Sequence, residues 1–199
     1  AGKPWVNHEW LFQVIAYAAN QWRGPEGLIL LQVIIVVLTL ILLLLLAYNK
    51  NNQLATIVPF FLVLFVYRDR FTIRPDLFSL FFLAFFLYIL FYHIHRRWAW
   101  FALFIMQIAW ANIHGFFILG PLVVLLLIVS QWLKRRAPLV YHWNQVDRLE
   151  DQEYRSLKNI FWVLIVACLL NPMGIQGAWY PIKILIQLPH ESKIFFAKI

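Results

Sequence analysis

Apolar residues run in long blocks along this chain, and polar residues are confined to short clusters between them. Crossing a hydrocarbon core of about 30 Å takes roughly 20 helical residues at about 1.5 Å each. Residues 28–48 meet that length plainly, with 19 of 21 apolar and Gln32 and Thr39 the exceptions. Residues 77–92 hold one polar side chain, Ser79, and anchor a predicted span over 76–95 that Arg74 lengthens by snorkelling. Residues 54–67 predict a shorter span kinked at Pro59. The block 98–133 counts 36 residues, about 54 Å as one helix and too long for one crossing. Its only polar cluster is Asn112-Ile113-His114-Gly115, where Gly115 supplies backbone freedom, so the pattern predicts spans over 98–113 and 116–133. A sixth span covers 157–170 and stops at Asn171-Pro172-Met173-Gly174.

Two segments are apolar on one face only. In residues 8–22, Glu9, Gln13 and Asn20 fall within about 40° of one another on a helical wheel. In residues 176–188, Gln176, Tyr180, Lys183 and Gln187 repeat that stripe. Both predict amphipathic helices lying in the membrane interface, with Trp5, Trp10, Trp22 and Trp179 as anchors. A packed helix of the bundle is the other reading of each. The predicted fold is therefore all-α: a polytopic membrane bundle of about six transmembrane helices plus two interfacial helices, forming a single domain over 1–199. Residues 134–156 are its long loop.

Composition agrees with that picture. The chain is 63% apolar and 13% charged, with a mean hydropathy of +0.72, against about 45–50% and about 25% in soluble domains. A water-soluble globule, a disordered chain, a coiled coil and a disulfide-stapled module are excluded. Cys168 is the single cysteine and forms no intrachain disulfide. The net charge of +8 comes from basic residues flanking apolar blocks. Membrane lipids, not nucleic acid, are their expected partners. The chain opens at Ala1 without a basic or apolar leader and reads as an internal fragment.

Placing Lys50, Arg96, Arg97 and the loop 134–158 in the cytoplasm puts nine of seventeen basic residues inside. Four polar clusters then share the non-cytoplasmic face: residues 4–10, 68–76, 112–115 and 171–174. The first three hold the candidate chemistry. Arg68, Arg70 and Arg74, beside Asp69 and Asp76, can grip phosphate oxygens through paired planar hydrogen bonds; they can equally neutralise one another and hold lipid headgroups. Asn7 suits a helix N-cap, and Glu9 suits the first turn electrostatically. The sharper reading makes Glu9 or His8 an acid–base group or a ligand to a divalent metal, although no third ligand stands at metal-site spacing. Asn112 fits a helix turn, whereas His114 beside Gly115 has less structural reason to be there. No nucleotide-binding loop, GxSxG, HExxH or CxxC motif occurs.

The series PWVNHEWL, RPDLFSLFFLAFFLYIL, WANIHGFFILG and LLNPMG, in that order from Pro4 to Gly174, resembles bacterial multi-pass proteins of the GT-C superfamily of membrane glycosyltransferases. That superfamily includes enzymes similar to protein O-mannosyltransferases and aminoarabinose transferases. The resemblance implies transfer of a sugar from a polyprenyl-phosphate donor to an acceptor on the non-cytoplasmic face of the bacterial inner membrane. It places the catalytic acid in the first outer loop, upstream of residue 1, with the helix beginning at Glu9 as the interfacial element after it. On this chain it implies Glu9 and His8 as catalytic candidates, the proton-accepting carboxylate being the upstream one or Glu9. Arg70 and Arg74 would stabilise charge on the departing lipid phosphate, His8, Asn112 and His114 would orient the sugar or acceptor, and Arg68, Asp76 and Asn7 complete the substrate-binding set. A non-enzymatic membrane protein (a transporter segment, a lipid handler or an assembly scaffold) is the alternative; the absence of an internal repeat and of charge within the spans argues against transport.

Overall fold

The computed structural model describes residues 7–48, 57–58, 60–61, 73–136, 143 and 145–196. The described residues form seven α-helices, α1 Trp10–Arg23, α2 Pro25–Ala47, α3 Pro75–Tyr92, α4 Arg97–Ile113, α5 Leu119–Arg136, α6 Asp151–Leu169 and α7 Ile175–Phe196. A 3-10 turn, Gly115–Ile118, joins α4 to α5. There is no strand among the described residues.

Among the described residues, three helical segments are long and apolar enough to cross a membrane: Pro25–Ala47, Pro75–Tyr92 and the run Gly115–Arg136. The described residues thus support three of the six expected spans. Helix α4 has 17 residues and starts on Arg97. Helix α6 spends its first two turns on Asp151, Glu153, Arg155 and Lys158, which leaves only a short apolar run. Of the expected span over 54–67, Ile57, Val58, Phe60 and Phe61 are described, all helical; Pro59 lies outside the described residues.

Element ends also differ from the sequence pattern. The loop expected over 134–156 is shorter, because α5 runs on to Arg136 and α6 begins at Asp151. The early start of α6 has a local cause. Glu150 and Glu153 form a reciprocal capping box, with Glu150 N–H donating to Glu153 Oε2 at 2.9 Å. Gln131 of α5 braces the same corner, donating to the Asp147 carbonyl and accepting from Leu149 N–H, both at 3.0 Å. Arg135 pairs with Asp151 there. Helix α7 outruns the expected 176–188 at both ends.

Inside lipid the hydrophobic effect does little to bring helices together, so packing and interhelical hydrogen bonds carry that task. Helix α3 shows the packing. Phe82 stacks on the Trp110 ring of α4 at 5.5 Å and Phe86 meets it edge-on at 5.7 Å. Gln107, fully buried in α4, supplies the bonds: its Nε2 donates to the Phe117 carbonyl and to Cys168 Sγ, tying α4 to the 3-10 turn and to α6. Gly27 lets α1 and α2 touch, since a Cβ there would overlap the Ala19 carbonyl. Between them Gly24 takes a positive φ of 60° and Pro25 opens α2, which fixes a sharp corner.

Helices α2 and α3 run parallel, with Tyr92 Oη donating to the Leu46 carbonyl where both end. The consequence is a two-ended bundle. One end collects the N-termini of α2, α3, α5 and α7 and the C-termini of α4 and α6. The other collects Arg96, Arg97, Lys134, Arg135, Arg136, Arg148, Arg155 and Lys158.

Candidate functional site

The first end of the bundle is where separated stretches of chain meet. Ahead of α1, Asn7 Oδ1 accepts Glu9 N–H at 3.3 Å, and Asn7 Nδ2 donates to Gln13 Oε1 at 3.0 Å. Asn7 thus braces the turn before the helix and does not cap its first residue. Glu9 occupies the N-cap position, yet its side chain makes no capping hydrogen bond. The carboxylate points at two imidazoles instead. Glu9 Oε1 lies 3.6 Å from His8 Nε2 and 3.8 Å from His114 Nε2. The electrostatic preference of a helix start therefore does not use up this acid.

His114 reaches the same place from the end of α4. It ends α4 in extended geometry (φ −157°, ψ 146°), its N–H donating to the Trp110 carbonyl at 3.1 Å. Its Nδ1 is 2.8 Å from Ser79 Oγ on α3, and the Trp110 indole N–H donates to that same oxygen at 2.9 Å. Burial pushes the His114 pKa below its ordinary value, more strongly than the negative charges of Glu9 and Asp76 pull it up, and His8 adds to the lowering. Asp76, in the first turn of α3, is thus part of the electrostatic surroundings of His114.

Asn112 has a structural task. Its Oδ1 accepts the Trp10 indole N–H at 2.7 Å, and its Nδ2 donates to the carbonyls of Ile108 (2.7 Å) and Leu170 (3.0 Å). Those bonds join the start of α1 to the ends of α4 and α6. The side chain expected to face a sugar is instead fully engaged and 4% exposed. Trp10, expected as an interfacial anchor, is the donor of that joint. Asn171 similarly closes the end of α6, accepting Met173 N–H and donating to the carbonyls of Cys168 and Gly174.

Beside the histidines opens a cavity of about 370 Å³, bordered by His8, His114, Gly115, Phe116, Tyr180 and Pro181 among others. Its walls are mainly apolar, with the two imidazoles and a phenol as its polar groups. Tyr180 of α7, read from the sequence as part of a polar stripe, packs on His8 with ring centroids 4.2 Å apart. Gly115 keeps the wall thin, since a Cβ there would meet only the His8 ring, at 3.7 Å.

Glu9, His8, His114 and Asp76 therefore share one end of the bundle, with Asn7 and Asn112 as supports. Arg74 precedes α3 with an exposed side chain. Arg68 and Arg70 lie outside the described residues. No group of three or more His, Cys, Asp or Glu able to hold a metal occurs among the described residues. Ser79, Trp110, Tyr180 and Phe116 were not anticipated as site residues. Ser79 did carry a signal, being the lone polar residue in the block 77–92. No protein-family model, no curated protein and no solved structure matches this chain.

Proposed function

We propose that this chain is part of a bacterial inner-membrane glycosyltransferase that uses a polyprenyl-phosphate sugar at the non-cytoplasmic face. One observation carries the reading: a half-buried carboxylate faces two imidazoles beside an apolar cavity at one end of a membrane-type bundle. A ligand with a greasy chain and a polar head fits such surroundings, because the wall is hydrocarbon and the hydrogen-bonding groups stand at one side. Eight basic residues at the opposite end favour that end as cytoplasmic. In this reading α1 and α7 lie along the interface, and further crossings beyond the three apolar helices complete the six.

The chemistry assigned is a displacement at the anomeric carbon. The acceptor hydroxyl gives its proton to the Glu9 carboxylate as its oxygen bonds to that carbon. The bond from the carbon to the phosphate oxygen breaks, and its electron pair leaves with the polyprenyl phosphate. Arg74, with Arg68 and Arg70, stabilises the charge that develops on that phosphate. His8 and His114 orient the sugar or acceptor.

A photoreactive polyprenyl-phosphate analogue added to membranes containing the full protein tests this. Expected labelling falls at Phe116 and Tyr180 and is competed by polyprenyl phosphate but not by polyprenol. Sugar transfer from a labelled polyprenyl-phosphate sugar is expected to drop by about 10²–10⁴ in Glu9→Gln. Labelling that polyprenyl phosphate does not displace removes the donor class and leaves a structural bundle. Unaltered transfer in Glu9→Gln removes the role of the carboxylate.

A further inference from the structure

We infer that Ser79 and Trp110 form a buried relay that holds His114 as the tautomer protonated on Nε2, with that N–H directed toward Glu9 and the cavity. An indole N–H can only donate. Trp110 Nε1, 2.9 Å away, therefore makes Ser79 Oγ an acceptor. The serine hydroxyl has one hydrogen left to place. Its other hydrogen-bond partner among the described residues is His114 Nδ1, at 2.8 Å.

The opposite arrangement, with Nδ1–H donating to Ser79, would strand that hydroxyl hydrogen without an acceptor. Ser79 is 4% exposed, so bulk water does not take it up. Nor can the indole turn aside. Trp110 is fully buried, with Phe82 on its face and Phe86 at its edge. The direction of donation thus runs from Trp110 to Ser79 to His114 Nδ1, and the ring proton is left on Nε2.

That nitrogen faces Glu9 Oε1 at 3.8 Å, beyond direct hydrogen-bond range. An Nε2–H imidazole is a hydrogen-bond donor on its outward side and has no free lone pair there. Between the two groups, proton acceptance falls to Glu9, and His114 offers its N–H to an oxygen of the sugar or acceptor. This last role deepens the reading of a sugar-transfer site and rests on it; the tautomer does not. The titratable groups around the ring are Glu9 and His8 ahead of α1 and Asp76 on α3. Burial of the ring favours the neutral form that the relay requires. Ser79 and Trp110 are positioning residues, acting through His114.

The test is nitrogen NMR on the full chain, ¹⁵N-labelled at histidine, in lipid nanodiscs without ligand at pH 8. The His114 signals are identified by their loss in His114→Gln. The wild type is expected to show an unprotonated Nδ1 and a protonated Nε2. Ser79→Thr, which keeps the hydroxyl, is expected to preserve that pattern, and Ser79→Ala to give a mixture of tautomers with a raised His114 pKa. A protonated Nδ1 in the wild type overturns the relay, as does an unchanged tautomer in folded Ser79→Ala. Should Ser79→Ala not fold, the wild-type spectrum decides alone. Because no ligand is present, a wrong tautomer leaves the donor reading to its own competition assay. The expected tautomer without polyprenyl-phosphate competition keeps the relay and removes the transferase.

Discussion

Asn112→Ala removes the joint that sets Glu9 in place, and the structure allows its cost to be worked out. Three bonds disappear, from the Trp10 indole and to the carbonyls of Ile108 and Leu170. The Ile108 carbonyl keeps its own helical partner, so two groups are left short, the Trp10 N–H and the Leu170 C=O. A buried polar group left unmet costs about 1–3 kcal/mol. Trp10 and Leu170 are partly exposed, which puts each toward the lower part of that range and the pair at about 2–3 kcal/mol. For a chain of this size, a loss of about 1 kcal/mol lowers Tm by about 2–4 °C, so a fall of about 4–12 °C is expected. Thermal unfolding of the detergent-solubilised protein measures it. A double-mutant cycle with Trp10→Phe should return a coupling of about 1 kcal/mol, since the two side chains share one hydrogen bond. A change in Asn112→Ala no larger than the roughly 0.5 kcal/mol typical of surface substitutions, or additive behaviour in the cycle, would refute the view of Asn112 as a structural joint.

Four further outcomes rest on the same geometry. Because the folded-state pKa of His114 lies below the ordinary 6.5, the unfolded chain binds more protons in the interval between the two values. Stability at His114 is therefore full above that interval and falls as the pH drops through it. Glu9→Gln, by removing a charge that favours the imidazolium, should lower the His114 pKa further; a titration by NMR checks the direction. Gly27→Ala should force α1 and α2 apart at the Ala19 carbonyl and cost about 1–3 kcal/mol in thermal unfolding; a neutral result would mean the close approach is not required. Gly115→Leu should fill the cavity and reduce polyprenyl-phosphate-competed labelling at least about tenfold, the effect of losing about 1.4 kcal/mol of binding, with Tm little changed. Undiminished labelling would place the ligand elsewhere.

Much of the helical framework is written in single polar residues that interrupt apolar blocks. The cluster at 112–115 falls where α4 gives way to the 3-10 turn. Asn171 and Gly174 stand where α6 stops, because an Asx turn and a positive φ of 54° cannot continue a helix. The start of α6 was hidden, since Glu150 is not among the side chains that usually cap helices and its partner Glu153 shows only once the turn has formed. The number of spans was not legible for a related reason. Apolar composition reports that a face is buried, not whether lipid or another helix covers it.

The candidate site divides in the same way. His8, Glu9 and His114 could be picked out individually as ionisable groups at block edges, but nothing in their spacing tells that residues 105 positions apart (9 and 114) come within 3.8 Å. Asn112 looked chemically available because its hydrogen bonds are made with partners distant in sequence. Ser79 looked incidental for the same reason.

What the chain alone determines is its solvent: such long apolar runs with so few charges suit a lipid-like environment, where a helix satisfies its backbone amides within its own segment. Which helix ends share a face, and that an acid, two imidazoles and a serine meet beside a cavity, was decided by tertiary packing. Local residue pattern fixes hydrogen bonds within a turn of helix, whereas helix pairing depends on side-chain shapes and long-range donors and acceptors that no short window of sequence contains.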